Sequence, residues 1–258
     1  MKALEQAGTP PPGPSLFPTT HWSVVINAGT GSESQARAAL ETLCRQYWYP
    51  LYHFVRRHGR SHHEAEDCTQ DFLARLLAAD RVGRARPERG HFRGFLLTAL
   101  RNDLTKQWEK NQAEKRGGGQ TVLPLDFAAA GERFSREPAD PGLTPEQAFD
   151  RTWAAELILR TVAELREEYE SSGRGELFAA LAPLVWSPGP AESQEPAAQH
   201  LGMKTHAFAA ALQRLRRRLG DRLRARVAET VATPADVDAE LHHLIAAITS
   251  GSVGESRP

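Results

Sequence analysis

Residues 195–226 read E-P-A-A-Q-H-L-G-M-K-T-H-A-F-A-A-A-L-Q-R-L-R-R-R-L-G-D-R-L-R-A-R. Two helical patterns meet at Leu201-Gly202-Met203. The first is short, with Ala197, Ala198 and Leu201 apolar and Pro196 in the first turn, where a missing N–H costs nothing. Gly202 supplies the left-handed residue that ends a helix. The second pattern is long. Phe208, Leu212, Leu215, Leu219, Leu223 and Val227 recur at steps of four or three, the apolar stripe of an amphipathic helix. A short helix, a glycine turn and a longer helix have the form of a helix-turn-helix. The longer helix carries Arg214, Arg216, Arg217, Arg218, Arg222, Arg224 and Arg226 against one acid, Asp221. Such a face suits phosphate; it also fits an ordinary solvated helix, so the surrounding sequence has to decide.

Working outward, the 258 residues allow one or two domains. A hydrophobic content of 40% and a charged content of 25% describe a water-soluble globular chain. No apolar run approaches the ~18 residues of a membrane span, and the first residues lack the apolar core of a secretory signal. The two cysteines, Cys44 and Cys68, make neither a disulfide framework nor a zinc cluster. A cytoplasmic protein is expected. Net charge is zero, yet residues 81–116 hold ten bases against four acids. Two basic segments divided by acidic sequence make a nucleic-acid footprint.

Residues 1–18 are rich in Pro and Gly and are read as disordered. Thr19–Val25 begins a short apolar element. Helical periodicity over Ala36–Arg57 turns Ala39, Leu40, Leu43, Tyr47, Leu51, Phe54 and Val55 inward, with Pro50 a point of kinking or splitting. Ser61 and Glu64 form a capping box for a helix burying Ala65, Cys68, Phe72, Leu73, Leu76 and Leu77. A third helix buries Phe92, Phe95, Leu96, Ala99, Leu100, Leu104 and Trp108. Gly117-Gly118-Gly119 closes this part. Residues 117–143 carry Pro124, Pro138 and Pro141 with Asp126, Glu132, Glu137 and Asp140, and read as a flexible acidic linker. Thr144 and Gln147 box the start of a further helix, with Pro145 at its first position. A helix over Gly175–Val185 precedes the glycine turn, and Pro234 opens a last helix to about Ile248. No segment alternates like a strand. The expected fold is all-α: helical domains over 19–116 and 144–227, a linker over 117–143 and an extension over 228–258.

With this layout the chain resembles bacterial RNA polymerase sigma factors of the extracytoplasmic-function type. Glu66-Asp67-Cys68-Thr69-Gln70-Asp71-Phe72 is similar to the family's A-E-D-x-x-Q helix. Phe92-Arg93-Gly94-Phe95-Leu96, then Arg101-Asn102-Asp103-Leu104 and Trp108, is similar to its F-R-x-W-L…A-R-N segment, and residues 197–216 to its promoter-reading helix-turn-helix. The resemblance covers about residues 17–248, with extensions at both ends. It implies core RNA polymerase and promoter DNA as partners, an anti-sigma factor as a candidate third, and no cofactor, metal, membrane or enzymatic activity. By that likeness Asp67, Gln70, Asp71, Phe72 and Arg75 would meet polymerase. Arg93, Arg101, Asn102, Lys106, Lys110, Lys115 and Arg116 would meet the −10 element. Lys204, Thr205, His206, Gln213, Arg214, Arg216, Arg217 and Arg218 would meet the −35 element. The chain departs from the family at Ala207 and Ala209–Ala211, where methyl groups touch thymine but cannot hydrogen-bond a base. The rival reading is a helix-turn-helix regulator that never touches polymerase. A metal reading from His53, His58, His62, His63 and Glu64 lacks a recognised ligand spacing.

Overall fold

The computed structural model describes residues 33–78, 91–111, 125–136, 142–187, 194–231 and 233–249, with the side chains at 33, 36, 43, 78 and 106–111 outside the description. Expectations for the N-terminal segment 1–25, for loop 81–90, for Gly117–Gly119, for Leu43 and for Trp108 therefore lie outside the described residues. Among the described residues every regular element is a helix. None is long and apolar enough to cross a membrane.

Helix α1 is Glu33–Arg57, α2 His62–Ala78 and α3 Phe92–Asn111. Pro50 sits inside α1 without dividing it, although its ring removes one helical donor. The capping box at the head of α2 is formed: Glu64 N–H donates to Ser61 Oγ at 3.3 Å and Ser61 N–H to Glu64 Oε2 at 2.8 Å. These three helices pack through Leu40, Tyr47, Leu51, Phe54, Val55, Ala65, Phe72, Leu73, Leu76, Phe92, Leu96 and Leu100.

Where an extended linker is expected, residues Phe127–Arg136 form helix α4. Asp126 caps it, accepting from Ala129 N–H at 3.0 Å. Phe127, Ala130 and Phe134, at i, i+3 and i+7, turn one apolar side toward α1. Phe127 lies edge-on to Trp48 and Tyr52, and Phe134 edge-on to Tyr52. Gly131 lets the helix come this close, because a Cβ there would stand 2.9 Å from His62 Cε1.

Helix α5, Pro145–Ser171, starts with the predicted Thr144–Gln147 capping box and belongs to two cores. Phe149, Trp153 and Ala154 pack with α1–α4. Leu165 and Tyr169 pack with α6 (Gly175–Leu181, continued as a 3₁₀ turn to Leu184), α7 (Glu195–His200) and α8 (Thr205–Ala228). Trp153 stacks on Tyr47 with centroids 5.1 Å apart. The last helix, α9 (Asp236–Thr249), returns to the first core, where Val227, Val231, Val237 and Leu244 are buried. The stripe of α8 is thus divided: Phe208 to Leu219 serve the second core, while Val227 serves the first.

Candidate nucleic-acid interface

The α7–α8 turn is a Schellman closure. Gly202 has φ +62°; its N–H donates to Gln199 C=O at 3.0 Å, and Met203 N–H to Ala198 C=O at 2.9 Å. Those bonds satisfy the last carbonyls of α7 and fix the angle at which α8 leaves. Helix α8 begins without a side-chain cap, and Lys204 C=O accepts from the amides of Ala207 at 2.9 Å and Phe208 at 3.1 Å. Phe208, Ala211, Leu212, Leu215 and Leu219 face inward. The opposite side exposes Lys204, His206, Ala210, Gln213, Arg214 and Arg217, while Thr205 is half-buried. Ala211 is core, so it leaves the set of candidate reading positions; Ala210 remains on the outer stripe.

The arginines of α8 divide into two groups. Arg216 donates to three carbonyls, those of Val185 at 3.1 Å, Leu184 at 2.8 Å and Ser187 at 2.7 Å, and so closes the end of the α6 segment. Arg218 reaches Glu168 at 2.6 Å. Arg222 pairs with Glu168, Arg226 with Glu164 and Arg224 with Asp238. Arg216 and Arg218, expected on DNA, are therefore held by the protein itself. Arg214 and Arg217 are exposed, and neither forms an ion pair among the described residues.

On α3 the outward stripe is Gly94, Thr98, Arg101, Asn102 and Thr105. Arg101 is exposed and pairs with Glu146. Arg93 is different from the expectation. Its Nε and Nη2 grip the two oxygens of Glu240 at 2.6 and 3.0 Å, and its Nη1 meets Asp150 at 2.7 Å. Its side chain is 13% exposed, and that of Glu240 1%. Burial opposes the guanidinium charge, but the bonds to Glu240 and Asp150 outweigh it and raise its pKa. Arg93 as it stands joins α3, α5 and α9 rather than facing outward. Lys106 and Lys110 have side chains outside the described ones, and Lys115 and Arg116 lie outside the described residues altogether.

On α2, Asp67 and Asp71 are exposed. Gln70 donates to Glu66 at 3.4 Å, and Arg75 bridges Asp71 at 3.8 Å and Asp103 at 3.2 Å. Phe72 is 3% exposed, so it supports this face from below and does not form part of it. Glu64, Asp67 and Asp71 share one outward side, an acidic stripe that repels nucleic acid and fits a basic protein surface.

The histidines near the α1–α2 junction disperse into packing. His53 lies against the Phe134 ring, and His58 Nδ1 is 2.9 Å from Phe54 C=O. His62, His63 and Glu66 bring one ligand atom each within 4.8 Å of one another. His62 Nδ1 is already engaged with the Tyr52 hydroxyl at 2.8 Å. Sequence reasoning missed the acids that hold the basic face in place: Glu164, Glu168, Asp150 and Glu240. Glu164 and Glu168, one turn apart on α5, are the only hint the sequence carries.

The family model described as Sigma-70 region 2 matches residues 43–114. That segment runs from within α1 through α2 and α3. Comparison with curated proteins and with solved structures finds no match. The matched segment supports a sigma-70 family sigma factor, a non-catalytic class acting in promoter recognition by RNA polymerase.

Proposed function

We propose that this chain is a sigma factor of the extracytoplasmic-function type, cytoplasmic, that binds core RNA polymerase and directs initiation at specific promoters. The observation that carries the reading is the coincidence of two features in order. A region-2 segment over 43–114 presents an acidic outer stripe on α2, and a helix-turn-helix follows it with Arg214 and Arg217 facing outward. Asp67 and Asp71, with Gln70 and Arg75 beside them, contact polymerase. Arg101 and Asn102 on α3, continued by Lys106, Lys110, Lys115 and Arg116, meet the −10 element. Lys204, Thr205, His206, Gln213, Arg214 and Arg217 meet the −35 element.

Phosphate anchoring exceeds base readout on α8. Lys204, Thr205, His206, Gln213 and Arg214 are the polar side chains that could reach a base edge, while Ala210, on the same face, offers only a methyl contact. More of the discrimination falls to α3, where Asn102 is exposed. The test is reconstituted transcription with core polymerase and a library of promoter fragments. A promoter-dependent transcript and co-migration with polymerase are expected. Binding to DNA without any association with polymerase would instead support the regulator reading, which the exposed Arg214 and Arg217 alone would satisfy.

A further inference from the structure

The first turns of α2 gather three metal-binding side chains that the proposed polymerase and promoter contacts do not use. His62, His63 and Glu66 each bring one ligand atom within 4.8 Å of the other two. Their order in the sequence explains the grouping. Adjacent histidines diverge by about 100° around a helix, so two imidazoles in a row do not share a face. Glu66 lies four residues after His62 and three after His63, and both spacings bring side chains together on a helix surface. The carboxylate therefore bridges the two imidazoles. Its Oε2 stands 3.8 Å from His63 Nδ1, and the two rings have centroids 5.2 Å apart.

We propose that His62, His63 and Glu66 form a binding site for one divalent transition cation of the zinc class. Two imidazoles and a carboxylate suit zinc or nickel; magnesium and calcium take oxygen ligands. A tetrahedral ion with bonds of about 2.1 Å sets its ligands about 3.4 Å apart. The cluster closes to that spacing by side-chain rotation, because the His63 side chain is 88% exposed. The fourth position is left to water.

The other two ligands are already held in place. The Tyr52 hydroxyl lies 2.8 Å from His62 Nδ1 and accepts from Arg56 Nη1 at 3.0 Å, and Gly131 of α4 packs on the same ring. With Nδ1 turned to Tyr52, Nε2 is the nitrogen left for a metal. A hydrogen-bond partner at the far nitrogen is what orients a metal-bound imidazole. Gln70 donates to Glu66 Oε1 at 3.4 Å, which leaves Oε2 facing His63. Charge acts in both directions. The start of a helix opposes a cation, but residues 60–71 carry Glu64, Glu66, Asp67 and Asp71 against Arg60. The site does not depend on the sigma reading for its existence. Its consequence does, since a bound cation lowers the negative charge of the α2 stripe offered to polymerase.

The experiment titrates zinc into the untagged full chain against a chromophoric chelator. One equivalent is expected to bind, and magnesium in large excess should not displace it. His63→Ala and Glu66→Gln should each weaken zinc binding at least tenfold. Both should keep the helical circular-dichroism signal, since neither side chain belongs to a hydrophobic core. His242→Ala should leave the affinity unchanged, because the adjacent pair His242 and His243 gathers no third ligand among the described residues. Cobalt in place of zinc should show visible ligand-field bands and no thiolate charge-transfer band, as neither Cys44 nor Cys68 belongs to the cluster. Absence of binding, displacement by magnesium, a thiolate band, or unchanged affinity in either folded variant would overturn the site. So would an equal loss in His242→Ala. Failure of the chain to bind core polymerase bears on the sigma reading only, because the titration needs no polymerase.

Discussion

Arginine makes the clearest lesson at the scale of single residues. Seven arginines on α8 look alike in the sequence, but their angle around the helix sorts them. Arg214 and Arg217 lie opposite Leu212, Leu215 and Leu219, while Arg216, Arg218 and Arg222 flank that stripe. From flanking positions a long stem lies along apolar surface and its head reaches a neighbouring element. Arg217→Ala should then weaken DNA binding and lower the salt slope by about 1, with stability kept within about 0.5 kcal/mol. Arg216→Ala should do the reverse, costing about 1–3 kcal/mol by leaving carbonyls of 184, 185 and 187 without their donor. Salt-dependent binding and urea melts on the two variants check the split; equal behaviour would remove it. On α2, Asp67→Lys with Asp71→Lys should reduce polymerase affinity at least tenfold, about 1.4 kcal/mol. Stability should stay nearly unchanged, because the Arg75–Asp71 pair at 3.8 Å is exposed. Equal loss of binding and folding would make these acids structural.

Cys44 gives a residue-scale prediction about reactivity. It is fully buried, and burial with the nearby Glu41 pushes its thiol up to about 12. Thiolate is the reacting form, so at pH 8 a maleimide should label Cys68 in the native protein and Cys44 only in denaturant. Mass spectrometry of labelled peptides reads the outcome directly, and native labelling of Cys44 at the rate of Cys68 would contradict it.

At the scale of elements, the sequence speaks where the governing interactions are local. The Ser61–Glu64 and Thr144–Gln147 boxes and the Gly202 turn span a few residues each, and all three form as read. The α4 helix was hidden because Pro124, Pro138 and Pro141 dominate the segment around it, although Phe127, Ala130 and Phe134 already carry the helical spacing. Its Gly131 looks like a breaker and is instead a contact point against His62. Gly131→Ala should therefore push the His62 ring off Tyr52 and destabilise the first core, despite the better helix propensity of alanine. The Glu64 box has a pH signature. Hydrogen bonds from the backbone and side chain of Ser61 hold its carboxyl below the ordinary range. A lowered folded-state pKa contributes stability above the unfolded value, and that stability fades as pH falls through the folded one. Glu64→Gln should flatten the fall in melting temperature between about pH 5 and pH 3. An unchanged acid limb would show that the box adds nothing.

For the whole molecule, the sequence shows all-α character and two apolar clusters but not how they are joined. Joining depends on pairs far apart in the chain, such as Arg93 with Glu240, and no periodicity encodes them. Sequence reading therefore expects two bundles on a tether, whereas α5 threads both cores and α9 returns from the second to the first. The proposed functional face is legible to the same degree: the residue types on α2, α3 and α8 suggest the proposed contacts, but which arginines remain outward depends on those distant acids.

Sharing α5 between cores has a thermodynamic consequence that separates a joined molecule from a tethered one. Trp153 is 2% exposed and stacked on Tyr47, so Trp153→Ala removes about 3–5 kcal/mol from the first core. If the cores were independent, amides of α8 around Phe208–Leu215 would keep their protection, since none of those side chains touches Trp153. With α5 continuous and α9 packed in the first core, loosening that core frees the shared helix and the Val227 end of α8. Protection of the α8 amides should then fall together with that of α1, by a comparable free energy. Native-state hydrogen exchange on Trp153→Ala measures both sets in one sample. A loss confined to α1–α4 would show that the second core stands alone. A parallel loss would show that α8 is stabilised from the first core, through α5 and α9.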